Sequence, residues 1–236
     1  MSIKKQNIFD SARNTLDRYA ALSSTALVAF SGGKDSRVIL DLCCRAFSRV
    51  VCYTMRFIRE MQEPQSRIDW AREKYGVEVI EVIHPDFFNC KRQGIFCKPM
   101  PDLPEFNVYH IDHLLMQEVG VTFVVKGIKK SDGLWRQRQL RANKKKEGHC
   151  VYPLADWMKY DVLAYLKSKD IPIPEGGKVS NMTSPLTISG AIELHDSHPE
   201  DYRIVKKYFP YVDAVIKRHN WYGQKESEEI PAGSAA

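Results

Sequence analysis

Six residues, Ser31-Gly32-Gly33-Lys34-Asp35-Ser36, constrain the fold of this chain more than any others. They stand between a short apolar run, Thr25 to Phe30, and an apolar, helix-like stretch from Val38 to Phe47. An apolar run of that length between turn residues reads as a buried strand. Strand, glycine-rich turn and helix in that order bring backbone N–H groups up to a phosphate. Two glycines allow the sharp turn and clear side chains from the approach, and the helix aims the positive end of its dipole at the same point. Lys34 adds a full charge, Ser31 and Ser36 add hydroxyl donors, and Asp35 offers a carboxylate to a magnesium ion or a ribose hydroxyl. The spacing is neither that of a Walker A loop nor GxGxxG.

The same alternation continues along the chain. Ile8, Ala12 and Leu16 recur four apart, predicting a first helix that ends before Ser23-Ser24. Val50 to Phe57 and Val77 to Ile83 are β-branched and aromatic strands, separated by a helix from Glu63 to Tyr75 that Gly76 closes. Asp86 to Pro104 contains three prolines and reads as a loop or lid. Val108 to Val119 is helical and Thr122 to Lys126 is a fourth strand. Tyr160 to Ser168 is a further helix that Ile171-Pro172-Ile173-Pro174 cannot continue. Strands alternating with helices predict an α/β fold, a mostly parallel sheet with helices on both faces. Residues 1–175 form the expected nucleotide-binding domain. Residues 176–223 form a helical C-terminal extension packed on it through Phe209, Tyr211, Trp221 and Tyr222, and 224–236 form a polar, disordered tail.

The N-terminal residues contain no long apolar stretch, so neither a secretory signal nor a membrane anchor is expected. Six cysteines without a CxxC pair read as reduced thiols in a cytoplasmic protein. The net charge of +6 is concentrated between Lys126 and Lys146, where Asp132 alone opposes a run of lysines and arginines. Such a run points to an anionic partner: a nucleotide, an oxyanion or a nucleic acid. The stretch 136–146, with Arg136, Arg138, Arg141, Lys144, Lys145 and Lys146, reads either as a solvated loop with Arg136 alone facing the site or as a nucleic-acid footprint.

Strand plus Ser31-Gly32-Gly33-Lys34-Asp35-Ser36 resembles the PP-loop of the ATP pyrophosphatase superfamily, whose adenine nucleotide α-hydrolase fold is Rossmann-like. The resemblance implies ATP and Mg2+ as cofactors, cleavage between the α and β phosphates, and adenylation of an oxyanion or small acid with release of pyrophosphate. Gly127-Ile128-Lys129-Lys130, followed after five residues by Arg136, resembles the G-x-R-R-x(5)-R segment of phosphoadenosine phosphosulfate reductases and of the sulfate adenylyltransferase small subunit. Tyr152-Pro153-Leu154-Ala155-Asp156-Trp157 and the following Asp161-Val162, Tyr165-Leu166 and Ile171-Pro172 are similar to a second segment of that group, with Trp157, Val162 and Tyr165 expected to pack. The likeness covers about residues 20 to 175. It implies that Lys34 and the amides of Gly32 and Gly33 hold the pyrophosphate, that Asp35 organises the metal, and that Lys129, Lys130 and Arg136 hold the second anion. Lysine keeps the charge of the family's arginines but not their bidentate fork.

Two departures bear on the chemistry. Sulfonucleotide reductases use a C-terminal cysteine nucleophile, and no cysteine follows Cys150. A sulfonucleotide alternative therefore needs Cys97, or a thiol from a partner protein, and Cys90 and Cys97 are the remaining thiols expected to be accessible. Tyr53-Thr54-Met55 stands where relatives show Asp-Thr-Gly, leaving the backbone of Tyr53 and Met55 to read the adenine edge. A third alternative is a nucleotide-responsive protein that works on nucleic acid with a partner.

Overall fold

A computed structural model describes residues 3–62, 65–145, 149–173 and 186–228. Lys146, residues 176–185 of the expected extension, residues 229–236 of the expected tail and the side chain of Tyr222 lie outside them. The chain runs α1 (Ile3–Ala20), β1 (Thr25–Ala29), α2 (Lys34–Ala46), β2 (Arg49–Arg56), α3 (Gln65–Tyr75), β3 (Glu78–Ile83), α4 (Pro85–Gln93) and α5 (Val108–Val119). It continues with β4 (Val124–Val125), α6 (Leu134–Lys145), β5 (Cys150–Val151), α7 (Lys159–Ser168), α8 (Ile188–Ser197), α9 (Pro199–Tyr208) and α10 (Asp213–Glu228). A single 3₁₀ turn, Lys130–Asp132, precedes α6.

Among the described residues the five strands are parallel, in the order β3-β2-β1-β4-β5. β1 is central, and Ala26, Leu27 and Val28 are fully buried, which explains its unbroken apolar run: a strand covered on both faces has no polar side. Its residues alternate between two cores. Ala26 and Val28 face a layer that includes Leu16 of α1, Ile39 and Cys43 of α2 and Leu166 of α7. Leu27 faces Tyr53, Val124 and the α5 residues Leu115 and Met116. This is the Rossmann-like α/β architecture expected.

A third core lies under the last helices. Leu194, Val205, Phe209 and Val215 close over Phe57, Ile58 and Met61 beyond β2, and over Cys90 and Cys97. α10 continues to Glu228, so the first residues of the expected tail are helical.

Three expectations are corrected. The segment read as a loop or lid begins with a helix, α4. His84 caps it by accepting the Asp86 N–H at Nδ1 (3.1 Å), Pro85 takes the first turn, and Gly94 ends it in the left-handed region at φ 71°. Proline suits a first turn because its missing N–H is unpaired there anyway. The basic stretch, for which a solvated loop is one of the two expectations, is α6, whose sequence LWRQRQLRANKK has too few apolar positions to show a helical period. The fourth strand spans two residues rather than five, though Lys126 still donates its N–H to the Val151 carbonyl (2.9 Å).

Candidate active site at the sheet's switch point

From β1 the chain moves to β2 and β3 on one side, then crosses to β4 and β5 on the other. β1 and β4 are therefore neighbours from which successive connections diverge, and the crevice beyond their carboxyl ends is where open α/β sheets bind ligands. The Ser31–Ser36 loop follows β1 and the Gly127–Asp132 segment follows β4, so the fold brings the two sequence motifs to one place.

The Ser31–Ser36 loop depends on Gly32, at φ +72°. A Cβ there would meet the Arg67 side chain of α3 at 2.6 Å, so both backbone strain and α3 exclude other residues. Gly33 is the N-cap of α2, and among the described residues no side chain caps that end. The first amides of α2 thus keep their donors for an anion, with the helix dipole behind them. The Ser36 hydroxyl donates to the Gly33 carbonyl (2.9 Å) and Ser31 donates to Ser36 (3.3 Å), fixing the loop's inner turn.

Arg37 is a part of the loop that motif spacing does not reveal. Its Nε donates to the Gly32 carbonyl (3.0 Å), Nη1 donates to the Pro172 carbonyl (2.6 Å), and its guanidinium lies 4.2 Å over the Trp70 ring. Burial, followed by repulsion from Arg67, lowers its pKa from the ordinary arginine value. Arg37 thereby anchors the Ser31–Ser36 loop to α3 and to the chain beyond α7. Its position directly after Ser36 is the only sequence signal for it.

Gly127 makes the second junction. A Cβ at Gly127 would lie 3.2 Å from the Asp35 carbonyl group, so glycine permits this segment to rest on the first turn of α2. Lys129 follows, 1% exposed, with Nζ 2.7 Å from Asp35 Oδ1 and 3.0 Å from Asp132 Oδ1. The Asp35 contact is an ion pair without good hydrogen-bond angles, leaving Oδ1 with acceptor capacity. Lys34 Nζ sits 2.7 Å from the other oxygen, Oδ2. Lys34, Asp35, Lys129 and Asp132 form an alternating row of charges across the crevice, in which Asp132 is a member that the motif does not announce.

The expected trio of anion-holding cations is not assembled. Lys130, which opens the 3₁₀ turn after the extended Lys129, turns away and pairs with Asp156 on the outer surface, while its N–H donates to the Ala155 carbonyl (2.8 Å). Arg136 is half-buried on α6 and donates to Gln139 (2.9 Å). Tyr53 is a core residue: its carbonyl accepts from the Phe30 N–H (2.8 Å) and its hydroxyl donates to Asp112 (2.6 Å). Met55 lies half-buried near the carboxyl end of β2, on the α5 side of the sheet.

Asp112 also receives Lys126 Nζ at 2.5 Å, with His149 Nε2 at 3.3 Å and Cys150 Sγ at 3.9 Å. Asp112, His149 and Cys150 lie within metal-ligand reach of one another. The Lys126 ammonium already neutralises the carboxylate, so this buried group is balanced as it stands.

Contrary to expectation, Cys90 (8% exposed) and Cys97 (6%) are buried in the third core. Burial pushes the Cys90 thiol up to about 11 and the Cys44 thiol up to about 12, and it also raises Cys43, Cys52 and Cys150. Thiolate formation is therefore suppressed at five of the six cysteines.

Residues 25–175 match the phosphoadenosine phosphosulfate reductase domain. The chain belongs to that family. Among solved structures it is similar to the U34-tRNA thiolase NcsA from Methanococcus maripaludis with its [4Fe-4S] cluster, at 14% identity over 89% of this chain and 80% of that one (TM-score 0.47). It is also similar to the NH3-dependent NAD synthetase from Campylobacter jejuni in complex with nitrate, at 12% identity over 99% of this chain and all of that one (TM-score 0.49). A third is phosphoadenylyl-sulfate reductase from Candida auris in a phosphate complex, at 18% identity over 73% of this chain and 90% of that one (TM-score 0.48). No curated protein matches the sequence. Among the described residues, no helix of this family member is long and apolar enough to cross a membrane.

Proposed function

We propose that this family member binds ATP across the β1/β4 switch point, cleaves it between the α and β phosphates, and transfers the adenylyl group to an oxyanion or small acid. The observation that carries the reading is the uncapped N-terminus of α2 beside the Lys34–Asp35–Lys129–Asp132 row. The loop amides and Lys34 would take the β and γ phosphates, and Lys34 would leave Asp35 Oδ2 to do so. Asp35 fits a magnesium ion, because one carboxylate with several phosphate oxygens and waters is that ion's usual setting. Bound there, the ion would supply positive charge to the phosphates. Lys129 is held rigidly enough by two carboxylates to present its ammonium without reorganisation, which favours charge developing in the transition state.

An ionised acceptor oxygen forms the new bond to the α phosphorus. The bond from that phosphorus to the bridging oxygen breaks, and its electron pair leaves with pyrophosphate. No general base is required, and the protein contributes positioning and electrostatics.

Incubation with magnesium and α-labelled ATP, with and without sulfate and other oxyanions, tests the reading. Labelled AMP or an adenylate, lost in Lys34→Ala, is the expected result. Intact ATP with every acceptor would overturn it. The family match keeps one second reading in view, a sulfonucleotide substrate. With all six cysteines buried or half-buried, the attacking thiol would come from a partner protein, and turnover would appear only when an external dithiol protein was added.

A further inference from the structure

α6 is a cationic helix with an unused aromatic. Its twelve residues include Arg136, Arg138, Arg141, Lys144 and Lys145 and no acidic residue. Arg138 and Arg141 are exposed and have no acidic partner among the described residues. At its first turn Leu134 is 74% exposed and Trp135 is 73% exposed. Among the described residues these two large side chains are left mostly to solvent, and they stand out on an otherwise charged helix.

Beside α6 lies a groove of about 1020 Å3, bounded by α1 on the far side. Its lining includes Arg18 and Arg141, the Lys130–Asp156 ion pair, and Tyr19 and Tyr152. β5, the edge strand of the sheet, borders the groove but is closed to strand addition. The Asn143 side chain donates to the Cys150 carbonyl (2.8 Å) and accepts the Cys150 N–H (3.4 Å), taking the place of a neighbouring strand. A peptide adding to the sheet is thus excluded as occupant. A polyanion with flat faces is what cations plus exposed rings fit.

We propose that the exposed face of α6 binds single-stranded nucleic acid, with Trp135 as a stacking platform, Arg138 three residues on along the same face, and Arg141 at the edge where that face meets the groove. Sequence-tolerant binders of single strands combine a cationic track for the backbone with aromatic rings for the bases. Gly133 alone separates α6 from the 3₁₀ turn beside Lys129, so a strand lying along α6 runs towards the phosphate loop. The inference stands whether or not that loop cleaves ATP.

The test is fluorescence anisotropy with no nucleotide present, using a labelled mixed-sequence RNA of about 20 nucleotides, the DNA of the same sequence and the corresponding duplex, lengths within the range such tracks occupy. Both single strands should bind, and the ratio between them identifies RNA or DNA as the source. With phosphates neutralised by Arg18, Arg138 and Arg141, log K should fall with log salt at a slope of about −2, roughly a 20-fold loss between 50 and 200 mM. Trp135→Ala should weaken binding about fivefold or more, and Arg138→Glu/Arg141→Glu should weaken it further. Circular dichroism confirms that these surface variants fold. Absence of binding at 50 mM salt, equal affinity for the duplex, an unchanged Trp135→Ala variant, or equal competition by anionic lipid vesicles would each overturn the proposal. Failed ATP cleavage with strand binding intact would sink only the adenylation reading.

Discussion

Replacing Lys129 with methionine removes the cation shared by Asp35 and Asp132 while keeping most of the side chain's volume. Leaving one member of a fully buried ion pair unpartnered costs about 3–5 kcal/mol. Here the carboxylates are not fully buried: the Asp35 side chain is 23% exposed and keeps Lys34, and that of Asp132 is 37% exposed. Water and Lys34 offset part of the loss, so about 2 kcal/mol is expected, discounted for solvent screening. For a chain of this size that lowers Tm by about 4–8 °C. Thermal unfolding at constant pH and salt measures it, with and without magnesium and a non-hydrolysable ATP analogue. Lys129→Met should melt lower and lose most of the ligand-induced rise, because Asp35 and Asp132 then repel the phosphates without a cation between them. Asp132→Asn in the Lys129→Met background removes one orphaned carboxylate and should recover roughly half the lost stability. A Lys129→Met variant melting within about 1 °C of the parent, or a double variant no more stable than the single, would refute this account of the charge row.

Gly32→Ala adds a Cβ at φ +72° against Arg67 and should cost at least about 1–2 kcal/mol from the backbone alone, together with loss of nucleotide binding by calorimetry. His84 gives a pH signature. Burial lowers its pKa, against a smaller upward pull from Asp86, so the folded state prefers the neutral ring. The unfolded chain then takes up the proton first, and stability present above about pH 6.5 is lost as pH falls below it. Protonation of Nδ1 also removes the acceptor for the Asp86 N–H, so Tm should drop between pH 7.5 and 5.5, and His84→Asn, a cap that does not titrate, should flatten that drop. Thiol accessibility is equally direct: Ellman's reagent should leave Cys90 and Cys97 unlabelled in the native protein and label them on denaturation, and rapid native labelling would contradict the third core.

Local order supplied the Ser31–Ser36 loop. Strand, Ser31–Ser36 and helix are contiguous, each has its own pattern, and a loop between a strand and a helix has few conformations open to it. The same holds for β2, β3 and α5, where β-branched runs and closing glycines mark the elements. α4 and α6 were less legible for different reasons. Prolines beyond α4 masked a short helix that His84 and Pro85 start, and α6 buries too little to need an apolar stripe. β5 has two residues, fewer than any periodicity requires. What distance along the chain hides entirely is partnership. Lys129 and Lys130 are equivalent as sequence, yet Lys129 is extended and Lys130 opens the 3₁₀ turn, so their side chains part, one to Asp35 and the other to Asp156. Asp132 joins the charge row, and Arg37 and Arg67 brace the loop, only because α2, α3 and the chain after β4 converge there. Cys90 and Cys97 lose their exposure to helices that follow them by about a hundred residues. A strand–glycine–helix turn is a property of contiguous backbone, and the sequence determines it. Which cations face the crevice depends on where separate segments meet, and only the tertiary structure decides that.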